Sequence, residues 1–362
     1  MKKIRVLHFQ LDSHLGGIEM FLSNLMSEID REKVQFEFVT SVDHPALEKR
    51  FFELGAVIHH VPSPKSYIAY KKSIGDLIKA DFDIVHFHKN SAANIIPIIE
   101  AKKRGKRIIV HSHNTSPSVG GISYFFHKVN KSKLNDLADR KLACSTEAGK
   151  WMFDSDTFEV MTNGIITERF RYDLERRQTI RAEFGIDSDC FLYGNIGRFT
   201  EQKNHARLIS LFREIKSLRE NSALVLVGDG ELRNAVEKQV QDAGLSNSVF
   251  FTGVRSDIPD LLMAMDAFVM PSLYEGLPIV AVEAQAAGLH LFLANTISPE
   301  TDIIHQTTWF SLKDSDKELA NIICNSNFEN SRAAMATAIC EAGYDIQKTA
   351  NRLLEIYMGM IG

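Results

Sequence analysis

Short β-rich runs alternate with helical stretches along this chain, and the pattern is completed twice. In the first half IRVLHF leads through the loop QLDSHLGG into the helical IEMFLSNLMSEI. FEFVT, a helix around HPALEKRFFELG, AVIHHV and the helix YKKSIGDLIKA follow, and DIVHFH and RIIVHSH read as two more strands. The second half begins again with CFLYGNIG, the helix KNHARLISLFREIKSL, ALVLVG, the helix GELRNAVEKQVQDAG, VFFTG, the short helix DIPDLLMAM and AFVMPS. Strands separated by crossover helices pair in parallel, and a parallel sheet is covered by helices on both faces. The expected fold class is therefore α/β, with two doubly wound, Rossmann-like domains. At 362 residues the chain is long for one ordinary domain and suits two. The boundary is expected between residues 165 and 185, in the charged stretch ERFRYDLERRQTIRAEFG, giving an N-terminal domain at 1–170 and a C-terminal domain at 171–345. Parallel sheets bind ligands at their C-terminal strand ends, where the strand order reverses. Two such domains facing each other would share one deep cleft.

Several other classes fall away. MKKIRVLHF enters a strand directly, without a long apolar region or a small-residue cleavage site, and no uninterrupted 18-residue apolar run follows. Export and membrane spanning are not expected, which leaves a cytoplasmic protein. Cys144, Cys190, Cys324 and Cys340 form no C-x-x-C pair, so free thiols are expected rather than a disulfide framework or a structural zinc. The net charge of −4 divides into +4 over residues 1–170 and −8 over residues 171–362. The basic half suits an anionic surface, or is an ordinary solvated face. Nucleic acid is not an expected partner, because the chain is acidic overall and has no concentrated basic-aromatic stripe.

The residues that carry chemistry fall just after strands. Gly16 and Gly17 connect the first strand to its helix, either as a tight turn with N–H groups close to a phosphate or as a simple turn. In GRFTEQKN, Gly197 ends a strand and Arg198 and Lys203 follow it; a guanidinium fork and a mobile ammonium together suit a departing diphosphate. VGDGELR places Gly228 and Gly230 in a tight turn that can pass under a flat ligand, which makes Gly228 a candidate donor-binding residue, with Asp229 as a candidate cap for the next helix. HFH and HSH put His86 with His88, and His111 with His113, on common strand faces. No carboxylate or cysteine accompanies them at matching spacing, so no metal site is expected. A histidine at a strand tip touching a sugar hydroxyl fits better, with Phe87 and Ile109 turned into the core. Finally, YEGLPIVAVEAQAAG starts a helix at Pro278, with Glu275 just outside and Glu283 about one turn inside. Carboxylates accept hydroxyl hydrogen bonds in pairs, and the N–H groups of Gly276, Leu277 and Ile279 would face the same ligand. The two acids suit a nucleotide sugar.

These motifs, with VMTNGI and DIPDLLMAMDAFVMPSLYEGLPIVAVEAQAAG, resemble the retaining GT-B glycosyltransferases of family 4, and within them the enzymes of bacterial capsule and exopolysaccharide assembly. The likeness spans essentially the whole chain and is densest over residues 191–288. It implies that Glu275 and Glu283 are the E-x7-E pair, on the donor sugar and the donor ribose respectively. It also implies that Arg198 and Lys203 lie on the donor diphosphate and that Gly17 belongs to the loop approaching it. His113 matches the histidine near the transferred sugar, although His111 stands two residues earlier. The resemblance further implies that no metal cofactor is required, in keeping with the lack of a D-x-D pair near the proposed donor site, and that residues 346–362 form a helix crossing back to the N-terminal domain.

The expected function is transfer of a hexosyl residue, with retention, from a UDP-linked or other nucleotide diphosphate sugar to a glycan or polyprenyl-diphosphate-linked oligosaccharide. A nucleotide-sugar epimerase on a related scaffold and a non-catalytic sugar-nucleotide-binding partner subunit are the alternatives. Aromatics interleave with lysines in PKSYIAYKKS, residues 64–73, and YFFHKVNKSK, residues 124–133. Such stretches suit peripheral attachment to anionic lipid, unless Tyr67, Phe125 and Phe126 pack in the core.

Overall fold

The computed structural model of the protein describes residues 2–114, 121–154, 156–326 and 332–362. It divides into two compact units, one of Met1–Ile166 with Gly343–Gly362 and one of Thr167–Ala342. Each is a parallel sheet wrapped by helices, as the alternating sequence pattern dictates.

In the first unit the strands are β1 (Ile4–Leu11), β2 (Val34–Thr40), β3 (Val57–His60), β4 (Ile84–Lys89), β5 (Arg107–Ser112), β6 (Arg140–Ala143) and β7 (Glu159–Val160). They pair in parallel in the order β3-β2-β1-β4-β5-β6-β7. The order reverses between β1 and β4, which is where a doubly wound sheet opens a ligand crevice. Alternation within the strands sorts the side chains. Leu7, Phe9, Val85, Phe87, Ile108 and Val110 face a core shared with Tyr70, Ile74, Ile98 and Leu134. His8, His86, His88 and His111 take the other face, alongside Phe21 of the helix Gly17–Glu28 and Tyr357 of the helix Ile346–Ile361. Ile109 is fully buried too, on the histidine-bearing side of β5.

The carboxyl-terminal segment belongs to this first unit. Ile165 donates its N–H to Tyr344 O at 2.8 Å and accepts from Ile346 N at 2.9 Å. Asp345 then caps the last helix through Gln347 N and Lys348 N, meeting two donors that the helix cannot satisfy itself. Ile346, Ala350, Leu353, Leu354 and Tyr357 form its buried stripe at helical spacing.

The second unit holds β8 (Phe191–Ile196), β9 (Ser222–Val227), β10 (Val249–Gly253), β11 (Ala267–Met270), β12 (His290–Ala294) and β13 (Thr307–Phe310), in the order β10-β9-β8-β11-β12-β13. Every residue of SALVLV is buried, as a central parallel strand requires. Leu208, Ile209, Leu211, Phe212 and Ile215 give the helix His205–Leu218 its core face. The order reverses between β8 and β11, and the loops after these two strands carry GRFTEQKN and YEGLP.

Candidate active site

The loop after β8 is shaped by close backbone approaches. Gly228 has φ +132°, and a Cβ there would lie 2.2 Å from Gly197 O, so only glycine fits. The N–H groups of Gly197 and Gly228 are already spent on Val227 O and Gly253 O, both at 2.9 Å. These two glycines therefore shape the turn rather than donate to a ligand. Asp229 does not cap the next helix, which corrects the sequence reading. That helix starts only at Arg233, and the Asp229 carboxylate instead accepts the N–H of Gly230 at 2.8 Å.

Glu201–Lys203 forms a single 3-10 turn that is tied to the loop after β11. Leu273 N donates to Gln202 O at 2.8 Å, Gln202 Nε2 to Tyr274 O at 3.0 Å and Asn204 Nδ2 to Pro271 O at 3.0 Å. Asn204 takes φ +56°, a left-handed conformation that asparagine tolerates. These ties set Lys203 Nζ 2.6 Å from Glu275 Oε1, with side chains only 18% and 10% exposed. The contact is one of charge, since its angles fall outside hydrogen-bond geometry. Glu275 is pinned from the other side by Ser298 N, which donates to its carbonyl at 3.1 Å. Arg198 pairs instead with Glu231 at 3.4 Å, with both side chains about half exposed. An ion pair so exposed is weak, which leaves Arg198 free to turn to another anion.

Pro278 precedes the helix Ile279–Ala286, and Gly288, at φ +74°, follows its end. Among the described residues no hydrogen bond is found to the N–H groups of Gly276, Leu277 or Ile279, so they remain open beside Glu275. Glu283 is buried inside the same helix. Burial pushes its carboxyl up to about 8, and the nearby Arg169 offsets only part of that. A desolvated acid of this kind marks a place prepared for polar contact. Gln202, Asn204, Glu231 and Arg169 escape sequence reasoning, since their partners lie far along the chain.

In the first unit Gly16 precedes the helix Gly17–Glu28, in extended backbone. Its N–H is held by Glu19 Oε2 at 3.2 Å, while Glu19 Oε1 holds Asp12 N at 3.1 Å. A Cβ on Gly16 would press on that carboxylate at 3.0 Å. Burial raises the Glu19 pKa, and these N–H groups hold it back.

The histidines form one group, buried except for the partly buried His113, and it includes His8, a residue the sequence does not single out. His8 Nδ1 lies 3.0 Å from His88 Nε2, His88 Nδ1 lies 2.9 Å from His113 Nε2, and His86 Nδ1 lies 2.8 Å from the Tyr357 hydroxyl. Ligand nitrogens of His8, His86 and His88, and of His88, His111 and His113, fall within 4.8 Å of one another. Burial pushes His8 and His113 down to about 3 and the other three well below the usual imidazole range, so all five are neutral near pH 7. His113 Nε2 is occupied by His88 and Nδ1 is enclosed, so neither ring nitrogen faces solvent. His111 is fully buried.

The site in the second unit combines open N–H groups, two cations and two acids at the switch point of a doubly wound sheet, and the comparisons agree with that class. Residues 176–330 match the family Glycosyl transferases group 1, and residues 15–169 match Glycosyltransferase Family 4. "Putative glycosyltransferase EpsF" of Bacillus subtilis (strain 168) is 32% identical, across 98% of this chain and 96% of its own. The UDP-Gal:alpha-D-GlcNAc-diphosphoundecaprenol alpha-1,3-galactosyltransferase of Escherichia coli is 24% identical, across 99% and 98%. Among solved structures, HepE of Anabaena in complex with UDP and glucose superposes with a TM-score of 0.81 at 18% identity, covering 98% of this chain and 100% of that one. The fold is GT-B, and the protein is a glycosyltransferase. The chain belongs to glycosyltransferase family 4.

Proposed function

We propose that the enzyme transfers a hexosyl residue, with retention, from a UDP-sugar to a hydroxyl of a polyprenyl-diphosphate-linked oligosaccharide or related glycan, in capsule or exopolysaccharide synthesis. The Lys203–Glu275 pair beside the open N–H groups of Gly276, Leu277 and Ile279 carries this reading. It brings cation, carboxylate and helix N-terminus together from two loops, as a negatively charged, hydroxyl-rich donor requires. The relative in E. coli, named for a UDP-galactose donor and a lipid diphosphate acceptor, supports the substrate classes. In the reaction the C1–O bond to the diphosphate breaks and a C1–O bond to the acceptor oxygen forms on the same face. The acceptor proton passes to the departing diphosphate. Arg198 and Lys203 stabilise that leaving charge, Glu275 holds the sugar hydroxyls, Glu283 holds the ribose, and the Gly16–Gly17 turn approaches the diphosphate. His113 orients the sugar. Incubation with a panel of UDP-sugars and short lipid-linked oligosaccharides, read by mass spectrometry and by the anomeric signal of the product, tests the reading. Epimerised donor without acceptor glycosylation would favour the epimerase, and donor binding without turnover the non-catalytic subunit.

No metal cofactor is needed in this scheme, because the two cations do the work a divalent ion does elsewhere. Turnover is expected to survive exhaustive chelation. Activity lost in EDTA and restored by manganese or magnesium would overturn that.

Attachment to an anionic lipid surface belongs to the same proposal. Among the described residues no helix is long and apolar enough to cross a membrane. Tyr67, Phe125 and Phe126 do not pack in the core; they are 53%, 63% and 47% exposed, beside exposed Ile68, Ile122 and Val129. Lys71 lies 5.8 Å from the Tyr67 ring and Lys128 lies 4.7 Å from that of Tyr124, the cation-aromatic mixture that suits a headgroup layer. Lys131 is engaged elsewhere, donating to Lys150 O at 2.9 Å. Co-sedimentation is expected with anionic but not neutral vesicles, weakening with salt and falling when Lys71, Lys72 and Lys128 are changed together to glutamate. No sedimentation above the protein-only control at low salt would end the idea.

A further inference from the structure

The buried histidines pose a question of direction. A neutral imidazole carries one N–H and one bare nitrogen, so a string of them joined nitrogen to nitrogen must run one way throughout. His8 Nδ1, His88 Nε2, His88 Nδ1 and His113 Nε2 form such a string, with contacts of 3.0 and 2.9 Å. These are hydrogen-bond lengths. Two imidazole nitrogens sharing a tetrahedral zinc at 2.0–2.1 Å would stand about 3.3 Å apart, and among the described residues no carboxylate or cysteine joins the group to balance an ion.

The two ends decide the direction. His8 Nε2 is buried against Phe36 and Phe38, without a partner among the described residues. If the string ran from His113 toward His8, that nitrogen would be an orphaned N–H, the more costly kind of unmet group. Run the other way, it is only a bare lone pair against aromatic rings. At the far end His113 Nδ1 and Asn163 Oδ1 are both buried, and among the described residues neither has a partner within hydrogen-bond geometry. Asn163 favours the protonated form of His113, the effect of an acceptor oxygen set beside a ring nitrogen. Only the outward direction, from His8 toward Asn163, spares His8 Nε2 an orphaned N–H and turns the far-end donor toward an acceptor oxygen.

We propose that His8 and His88 are positioning residues that fix His113 as its Nδ1–H tautomer: His8 Nδ1–H donates to His88 Nε2, His88 Nδ1–H donates to His113 Nε2, and His113 Nδ1–H is directed at Asn163 Oδ1. The consequence for the reaction rests on the reading that His113 lies at the transferred sugar. In this tautomer His113 can only donate through Nδ1. It serves as a hydrogen-bond donor to an oxygen of the sugar that displaces Asn163, and it is not the base that takes the acceptor proton. Phe21, 5.5 Å from both the His111 and His113 rings, packs over the group and keeps water from the string.

The test needs no substrate. Long-range proton–nitrogen correlation spectra of the full chain labelled with 15N-histidine distinguish Nδ1–H from Nε2–H rings, and single substitutions such as His113→Gln assign them. His88 and His113 are expected as neutral Nδ1–H rings at pH 7. His113 found as the Nε2–H tautomer or as imidazolium, or a stoichiometric metal ion in the purified protein, would overturn the proposal. His88→Asn keeps an N–H near the Nδ1 position and is expected to hold His113 as Nδ1–H. His88→Leu removes that donor, so His113 should drift to a mixture rich in Nε2–H; an unchanged His113 tautomer refutes the role. Should the leucine variant not fold, the wild-type and asparagine spectra still decide. In the transfer assay, His88→Leu should lose about tenfold in kcat, the worth of one oriented hydrogen bond, and His88→Asn should recover most of it. If no transfer is ever found, the spectra stand on their own, so failure of the functional reading and failure of the relay are told apart.

Discussion

Glu275→Ala is expected to lower the transfer rate about 30- to 1000-fold, because a charged hydrogen bond strengthened in the transition state is worth about 2–4 kcal/mol. From sequence alone, Glu275 looks dispensable for folding, since it stands outside its helix and fills no core volume. Its nearly enclosed contact with Lys203 changes that expectation. Removing one partner strands the other charge, and breaking such a buried pair costs about 3 kcal/mol or more. The alanine variant should therefore also unfold at a lower temperature. Adding Lys203→Ala should restore much of the stability while leaving transfer as low or lower, since the second change relieves the stranded ammonium but removes a cation from the leaving diphosphate. Thermal unfolding and steady-state kinetics on the wild type, both single variants and the double variant complete the cycle. A folded Glu275→Ala enzyme with normal turnover would remove Glu275 from the donor machinery.

Glu283→Gln is expected to stabilise the protein and weaken it as an enzyme at the same time. Burial holds the folded carboxyl at about 8, against an ordinary value of 4.5. Below pH 4.5 the acid is protonated in both folded and unfolded chains and costs nothing. As pH rises from there to about 8, the unfolded chain releases its proton and the folded chain resists, so stability is lost across that window and the deficit is constant above it. Each pKa unit is about 1.4 kcal/mol, which sets an upper bound of a few kcal/mol on the deficit that glutamine would remove. The melting temperature at pH 8–9 should rise by several degrees over the wild type, with little difference at pH 4–5. Above pH 8, where the folded carboxyl is ionised, glutamine cannot match its anionic acceptor for two ribose hydroxyls, so donor affinity measured there should fall by roughly 10- to 150-fold, the loss of a charged hydrogen bond of about 1.5–3 kcal/mol. Calorimetric titration with a UDP-sugar checks the second half. Unchanged donor affinity would place the ribose elsewhere, and an unchanged pH dependence of melting would mean the carboxyl is not held neutral.

The sheets were legible because parallel strands announce themselves as continuous apolar runs such as ALVLV, bounded by turns and separated by helices of steady length. The acids of the site were legible for a local reason too, since Pro278, Glu275 and Glu283 are placed by the start of one helix. What sequence could not show is long-range pairing. Arg198 and Lys203 read as a matched couple five residues apart, yet Lys203 meets Glu275 and Arg198 meets Glu231, each across a different loop. Nothing about one histidine in IRVLHF reveals that it touches another 80 residues away. Asp229 misled for a more local reason: an acid after a strand fits a cap, but the turn VGDG consumes it before the helix begins. The aromatics of YFFHKV are ambiguous in any amphipathic helix, and only their exposure in the folded chain removes them from the core.

The division of the chain bears on how the molecule is made. Thr167–Ala342 is one uninterrupted segment inserted into a unit whose piece Gly343–Gly362 is synthesised only after it. The inserted unit therefore has all its strands on the nascent chain while its host still lacks the helix that carries Tyr357. Domains form as units when their sequence is complete. The second unit to begin is thus the first able to finish, and the earlier sheet must wait with the part of its histidine-bearing face beside His86 uncovered. That interval is when an exposed apolar helix seat is open to the wrong partner. A chain ended before residue 346 and released from the ribosome should present a protease-resistant inner segment flanked by a still sensitive amino-terminal one.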